Sequence, residues 1–160
     1  MTRIAITGHR GLPPQVEADI SRTLDDFLDQ QTASGPIVGL SCLADGADQL
    51  FAEAVLAHGG GLDVIIPARQ YRAGLPRESH ERYDQLMEQA TTVHRCDHDA
   101  STSQAHMDAS TFMVDHADIL VAVWDGQPAR AHGGTADVVA YARRSGKPVV
   151  VVWPVGATRD

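Results

Sequence analysis

Short apolar runs closed by glycine or proline alternate along the chain with longer stretches in which apolar residues recur every three or four positions. The runs at residues 3–7 (RIAIT), 37–42 (IVGLSC), 62–66 (LDVII), 118–123 (DILVAV) and 149–153 (VVVVW) have the near-continuous hydrophobicity of buried parallel strands. Residues 91–95 make a weaker run that belongs at a sheet edge. Val16, Ile20, Leu24, Phe27 and Leu28 mark a first helix, opened by Pro13-Pro14 and broken by Gly35-Pro36. Leu50, Phe51, Ala54 and Val55 mark a second, ended by Gly59-Gly60-Gly61, and Tyr83, Leu86, Met87 and Ala90 a third, over residues 81–90. Ser101 and Gln104 have capping-box spacing for a fourth, with Ala105, Ala109, Phe112 and Met113 inward. A fifth opens at Gly133-Gly134-Thr135 and ends at Gly146. The polar stretch 69–80, with three arginines, is too long for an ordinary connection; it suits a lid in which Tyr71, Arg72, Arg77 and His80 bring aromatic and basic groups to a bound nucleotide, and equally a solvated surface loop. The alternation predicts one α/β domain over residues 1–160. Its architecture is a three-layer, Rossmann-like open sheet of about six mostly parallel strands, flanked by helices.

In such sheets a ligand crevice lies beyond the carboxyl ends of the strands, where the strand order reverses. If the order is edge strand, third, second, first, fifth, sixth, the reversal falls between the strands ending at Thr7 and Val123. The loops meeting there are residues 8–11 and 125–135, with residues 45–48 adjacent. They supply the candidate ligand-binding residues Gly8, His9, Arg10, Asp45, Gly46, Asp48, Asp125, Gly126, Gly133, Gly134 and Thr135. A glycine loop running onto a helix offers unpaired backbone N–H groups and the positive end of the helix dipole to an anion. Arg10, or Arg130 from the loop, can fork onto a phosphate or carboxylate. The same residues also suit a tight turn with Thr135 as N-cap, and Asp45 and Asp125 also suit ordinary turns. Trp124 borders the crevice and could stack on a base, whereas Trp153 suits the core or an interface.

Thirteen basic against twenty-one acidic residues give a net charge of −8, which opposes sequence-independent binding to a nucleic-acid backbone. With 43% hydrophobic and 21% charged residues the chain reads as soluble and globular, without a membrane span. Met1-Thr2-Arg3 leads directly into the first strand, so a cytoplasmic location is expected. Cys42 and Cys96 fall in different elements and are expected as reduced thiols. His94, Cys96 and His98 alternate on one strand face, but without a fourth ligand they are expected as an exposed edge and not a metal site. Asp45, Asp48, Asp125 and Asp137 crowd one rim. They favour a ribose-bearing ligand with few phosphates, provided they bind hydroxyls, pair with Arg10, or share a divalent cation such as Mg²⁺ that arrives with the ligand. No cofactor is otherwise implied.

Ile6-Thr7-Gly8-His9-Arg10, Leu43-Ala44-Asp45-Gly46-Ala47-Asp48, and Val123-Trp124-Asp125-Gly126 with Gly133-Gly134-Thr135-Ala136-Asp137 together resemble the SLOG superfamily. This Rossmann-like group includes the DNA-processing Smf proteins and the LOG phosphoribohydrolases. The resemblance covers nearly the whole chain and implies a homo-oligomer that binds a nucleotide or nucleotide-derived ligand. In the catalytic relatives a glutamate follows the glycine-threonine turn by three residues. Here that position is Val138, which can neither ionise nor attack an anomeric carbon. Binding is therefore favoured over catalysis. The alternative is an N-glycosidic hydrolase or transferase using Asp137 or Asp125, and a DNA-binding module of the Smf kind is disfavoured by charge.

Overall fold

The computed structural model describes residues 1–130 and 132–158. Six parallel strands, β1 (Thr2–Gly8), β2 (Ile37–Ser41), β3 (Gly61–Ile66), β4 (Thr92–Arg95), β5 (Ile119–Val123) and β6 (Val149–Val152), form one sheet. Their order is β4-β3-β2-β1-β5-β6, the order on which the expected reversal between β1 and β5 depends. The helices are α1 (Pro14–Ala33), α2 (Ala47–Ala57), α3 (His80–Glu88), α4 (Ser103–Asp115) and α5 (Thr135–Arg144). α1 packs on α2 and α2 on α3, while α4 packs on α5, giving the three layers of a Rossmann-like α/β fold.

Successive residues of the strands feed opposite cores. Ile4, Ile6, Val121 and Val123 join Ile20, Leu24 and Phe51 on one side. Ala5 and Leu120 join Ala109, Met113, Val138 and Ala142 on the other. Gly39 interrupts the apolar run of β2 for a packing reason: a Cβ there would lie 2.8 Å from Val55 Cγ2 and 2.9 Å from Phe51 Cε2. β4 is the edge strand expected of the weak run at 91–95. Among the described residues no helix is long and apolar enough to cross a membrane.

Three local expectations are corrected. The stretch 69–80 is a strap and not a lid: it forms two 3₁₀ turns, Arg72–Gly74 and Arg77–Ser79, and buries Tyr71, Leu75 and Ser79. A bidentate Arg72–Asp84 pair ties it to α3. The N-cap of α4 is Thr102 and not Ser101, because the Ala105 amide donates to the Thr102 hydroxyl at 3.1 Å. Ser101 Oγ instead meets His106 Nε2 at 2.8 Å. The N-cap of α5 is Gly134, one residue before Thr135, and no side chain caps it.

Candidate functional site

β1 and β5 pair in register up to Gly8 opposite Val123, so their loops leave the sheet side by side at the point of reversal. A cavity of about 450 Å³ opens there. His9 joins its two sides: the His9 amide donates to the Val123 carbonyl at 3.2 Å, and the Asp125 amide donates to His9 Nε2 at 3.1 Å.

The loop at 45–48 is zipped onto the loop at 8–11. Arg10 Nε donates to Asp45 Oδ1 at 2.8 Å, the Gly11 amide to Asp45 Oδ2 at 3.1 Å, and the Ala47 amide to the His9 carbonyl at 3.3 Å. Contact this close needs Gly46, whose φ is +89° and whose Cβ would stand 2.7 Å from the His9 carbonyl oxygen. On the far side, Gly133 has φ +83° and lies against α4, where a Cβ would be 2.8 Å from the Ser103 carbonyl oxygen. Asp137 Oδ2 accepts the Gly133 amide at 3.0 Å and closes the turn from inside the helix.

Of the eleven sequence-derived candidates, Gly8, His9, Arg10, Asp48, Gly133, Gly134 and Thr135 line the cavity. Asp45, Gly46, Asp125 and Gly126 stand behind it. The Asp45 carboxylate is taken by Arg10 and Gly11, and Asp125 Oδ1 accepts the Gln127 amide at 3.0 Å and lies 3.3 Å from His9 Nε2. The two catalytic candidates, Asp125 and Asp137, are both off the cavity wall, and Val138 is buried in the core. Trp124 is also turned away: its Nε1 donates to the Gln127 carbonyl, and the Arg143 guanidinium lies 5.9 Å from its ring centroid. Trp153 packs edge-on against His9 at 5.3 Å.

The first-turn amides of α5 on Thr135 and Ala136 have no intrahelical acceptor, and both residues line the cavity. Arg10 and Arg130 bring positive charge to the same space. Of the opposite wall, only Asp48 and Tyr71 were legible in the sequence. That wall consists of Cys42 and Ala44 after β2, Asp48 in the first turn of α2, Tyr71 of the strap, and Ser103, His106, Ser110 and Met113 of α4. Ser103, His106 and Ser110 are spaced three and four apart on one helix face, and that polar stripe beside the apolar one that includes Met113 was the available signal.

Leu43, fully buried with φ +60°, makes the turn out of β2. It is held by Ser41 Oγ, which accepts its amide at 3.1 Å, and by Gln49 Nε2, which donates to its carbonyl at 3.1 Å. The turn brings the Ala44 amide to within 3.4 Å of Asp48 Oδ2. Burial raises the Asp48 carboxyl to about 7, with the Ala44 amide and Arg10 pulling it down and Asp45 adding to the rise. Burial likewise pushes up the Cys42 thiol and the Tyr71 hydroxyl, and it lowers His106, helped by Arg10. A second cavity, of about 360 Å³, lies beyond β3 and β4 against Ile66, Tyr83, Arg95 and Cys96.

Among the described residues no three His, Cys, Asp or Glu side chains converge to hold a metal ion. His94 stacks on Phe112 at 3.9 Å, and His98 Nε2 meets Asp108 Oδ2 at 2.7 Å. Both cysteines are free thiols.

No protein-family model and no curated protein matches the chain. Solved structures do. DNA processing protein A from Streptococcus pneumoniae superposes with a TM-score of 0.69 at 13% identity over 98% of this chain. This chain spans 52% of the length of that protein. DNA processing protein A from Helicobacter pylori gives 0.69 at 16%, over 98% of this chain and 68% of its own. The molybdenum cofactor binding protein from Rippkaea orientalis gives 0.60 at 14%, over 94% and 75%. At these identities the likeness is one of fold. Joined to the strand order and the reversal between β1 and β5, it shows that the chain has the open-sheet, Rossmann-like α/β fold of these proteins.

Proposed function

We propose that the cavity between the β1 and β5 loops binds a nucleotide or nucleotide-derived small molecule. The observation that carries the reading is a cavity of about 450 Å³ with anion-binding groups on one wall and hydrogen-bonding side chains on the other. In this reading the Thr135 and Ala136 amides hold a phosphate, and Arg10 and Arg130 balance its charge. Ser103, His106 and Ser110 of α4 offer partners to sugar hydroxyls, the role expected of Asp45 or Asp125 from sequence. The volume suits a mononucleotide, and Mg²⁺ enters only as the ligand's companion. Binding without turnover is favoured because Val138 is core and neither Asp125 nor Asp137 reaches the wall. The net charge of −8 weighs against the single-stranded DNA binding described for the Helicobacter pylori protein. A homo-oligomer and a cytoplasmic location belong to the same proposal.

A thermal-shift screen against nucleoside monophosphates, cyclic nucleotides, ADP-ribose and NAD, with product analysis of each mixture, tests the reading. A ligand at a hundred times its Kd adds about 2.7 kcal/mol of stability. The expected result is a shift that Arg10→Ala reduces, with the ligand recovered intact. Release of free base would establish the glycosidic alternative, and no shift with any compound would overturn the reading. Sedimentation velocity reads the oligomer.

A further inference from the structure

Two side chains on the cavity wall are nine-tenths buried and incompletely partnered. Tyr71 is 4% exposed, and among the described residues its hydroxyl makes no hydrogen bond. Asp48 is 8% exposed, and its carboxylate is met by a single long bond from the Ala44 amide at 3.4 Å. Among the described residues no fully buried side-chain polar atom lacks a partner, so the spare capacity of the Tyr71 hydroxyl and the Asp48 carboxyl is turned to the cavity, where a ligand can complete it. Both are held in place. Tyr71 is fixed by the edge of His106 at 5.6 Å and by Tyr83 at 6.4 Å, and Asp48 by its place in the first turn of α2.

We propose that Asp48 and Tyr71 are specificity-determining residues that read the hydrogen-bonding edge of the ligand's heterocyclic ring. The preferred ligand is then a mononucleotide whose base presents a donor beside an acceptor, an amidine or lactam edge. This rests on the nucleotide reading above. A carboxylic acid matches such an edge in a cyclic pair, O–H donating and C=O accepting, while the Tyr71 hydroxyl supplies a neighbouring bond.

The protonated form of Asp48 is the binding form. The charged and titratable groups around it are Arg10 and Asp45 from the two zipped loops, Cys42 after β2, Tyr71 of the strap and His106 of α4, with Arg130 and His132 on the cavity's far loop. Arg10 favours the carboxylate. Burial, Asp45 and the phosphate of an incoming nucleotide oppose it, so the base's share of the affinity declines as pH rises through about 7.

Calorimetric titration of the full chain with AMP, GMP, IMP, CMP and UMP, and with ribose 5-phosphate, isolates the base. The phosphate's own titration near about pH 6 is common to both probe types and cancels in the ratio of their dissociation constants. We expect at least one nucleotide to bind about tenfold or more tighter than ribose 5-phosphate at about pH 6, with the ratio falling several-fold by about pH 8. Tyr71→Phe, which removes an unpartnered hydroxyl and keeps the ring packing, should cut the ratio about tenfold and leave ribose 5-phosphate unchanged. Asp48→Asn should remove the pH dependence. If both variants keep the wild-type ratio at both pH values, or no nucleotide exceeds ribose 5-phosphate, the base-reading role is overturned while phosphate binding stands. If neither probe type binds, the nucleotide reading falls and this role with it.

Discussion

Replacing Asp48 by Asn keeps the size and hydrogen-bonding shape of the side chain and removes its charge, which makes it a direct probe of a carboxyl buried at the start of α2. In the folded protein the proton is held to about 7, against 3.8 for an unperturbed aspartate. Between those values the folded chain carries a proton that the unfolded chain has released, so stability falls as pH rises through this window and levels off above it. At 1.36 kcal/mol for each pH unit, the whole displacement is worth about 4 kcal/mol, of which about 3 kcal/mol falls between about pH 5 and about pH 8. The Asn variant has no such titration. Urea unfolding of both ligand-free proteins across that range should show the variant gaining about 3 kcal/mol relative to the wild type as pH rises. His58 titrates nearby in pH, raised first by the Ala54 carbonyl and also by Asp29, but it is common to both chains and drops out of the difference. A difference that stays flat, or that moves against the variant with rising pH, would refute the burial argument.

Gly8→Ala places a Cβ 2.5 Å from Ala47 Cβ and 2.8 Å from Val123 Cβ, so it should cost about 1–3 kcal/mol as overpacking; a loss below about 0.5 kcal/mol in urea unfolding would show that α2 has room to retreat. Thr102→Ala should cost about 1 kcal/mol by removing the cap on the Ala105 amide, whereas equal losses for Thr102→Ala and Ser101→Ala would contradict the assignment of the cap.

The fold was legible because each buried parallel strand is an uninterrupted apolar run and each helix an apolar stripe, with Gly35-Pro36, Gly59-Gly60-Gly61 and Gly146 as breaks. Right-handed crossovers then leave few strand orders. The loops around the cavity were legible for the same reason, since the reversal of order selects them. The direction of individual side chains was not. Asp45 and Asp125 read as rim acids, yet neighbouring amides and Arg10 draw them behind the wall. Tyr71 read as part of a polar lid because five of the twelve residues from 69 to 80 are charged or histidine, while the packing of Tyr71 and Leu75 pins that stretch down. His106 lies in a helix whose apolar stripe, Ala105, Ala109 and Met113, is the stronger pattern and marks the core face. Such choices are decided by tertiary contacts that sequence spacing does not encode.

The central claim is that this cavity takes a nucleotide, and the most direct measurement is an amide NMR titration of the ¹⁵N-labelled chain with the nucleotide that gives the largest thermal shift. Binding in this cavity should give the largest changes at the Thr135 and Ala136 amides and in the loop bearing Arg10, all saturating with one dissociation constant. Changes confined to the cavity at Tyr83 and Arg95, or spread without saturation over the surface, would contradict it.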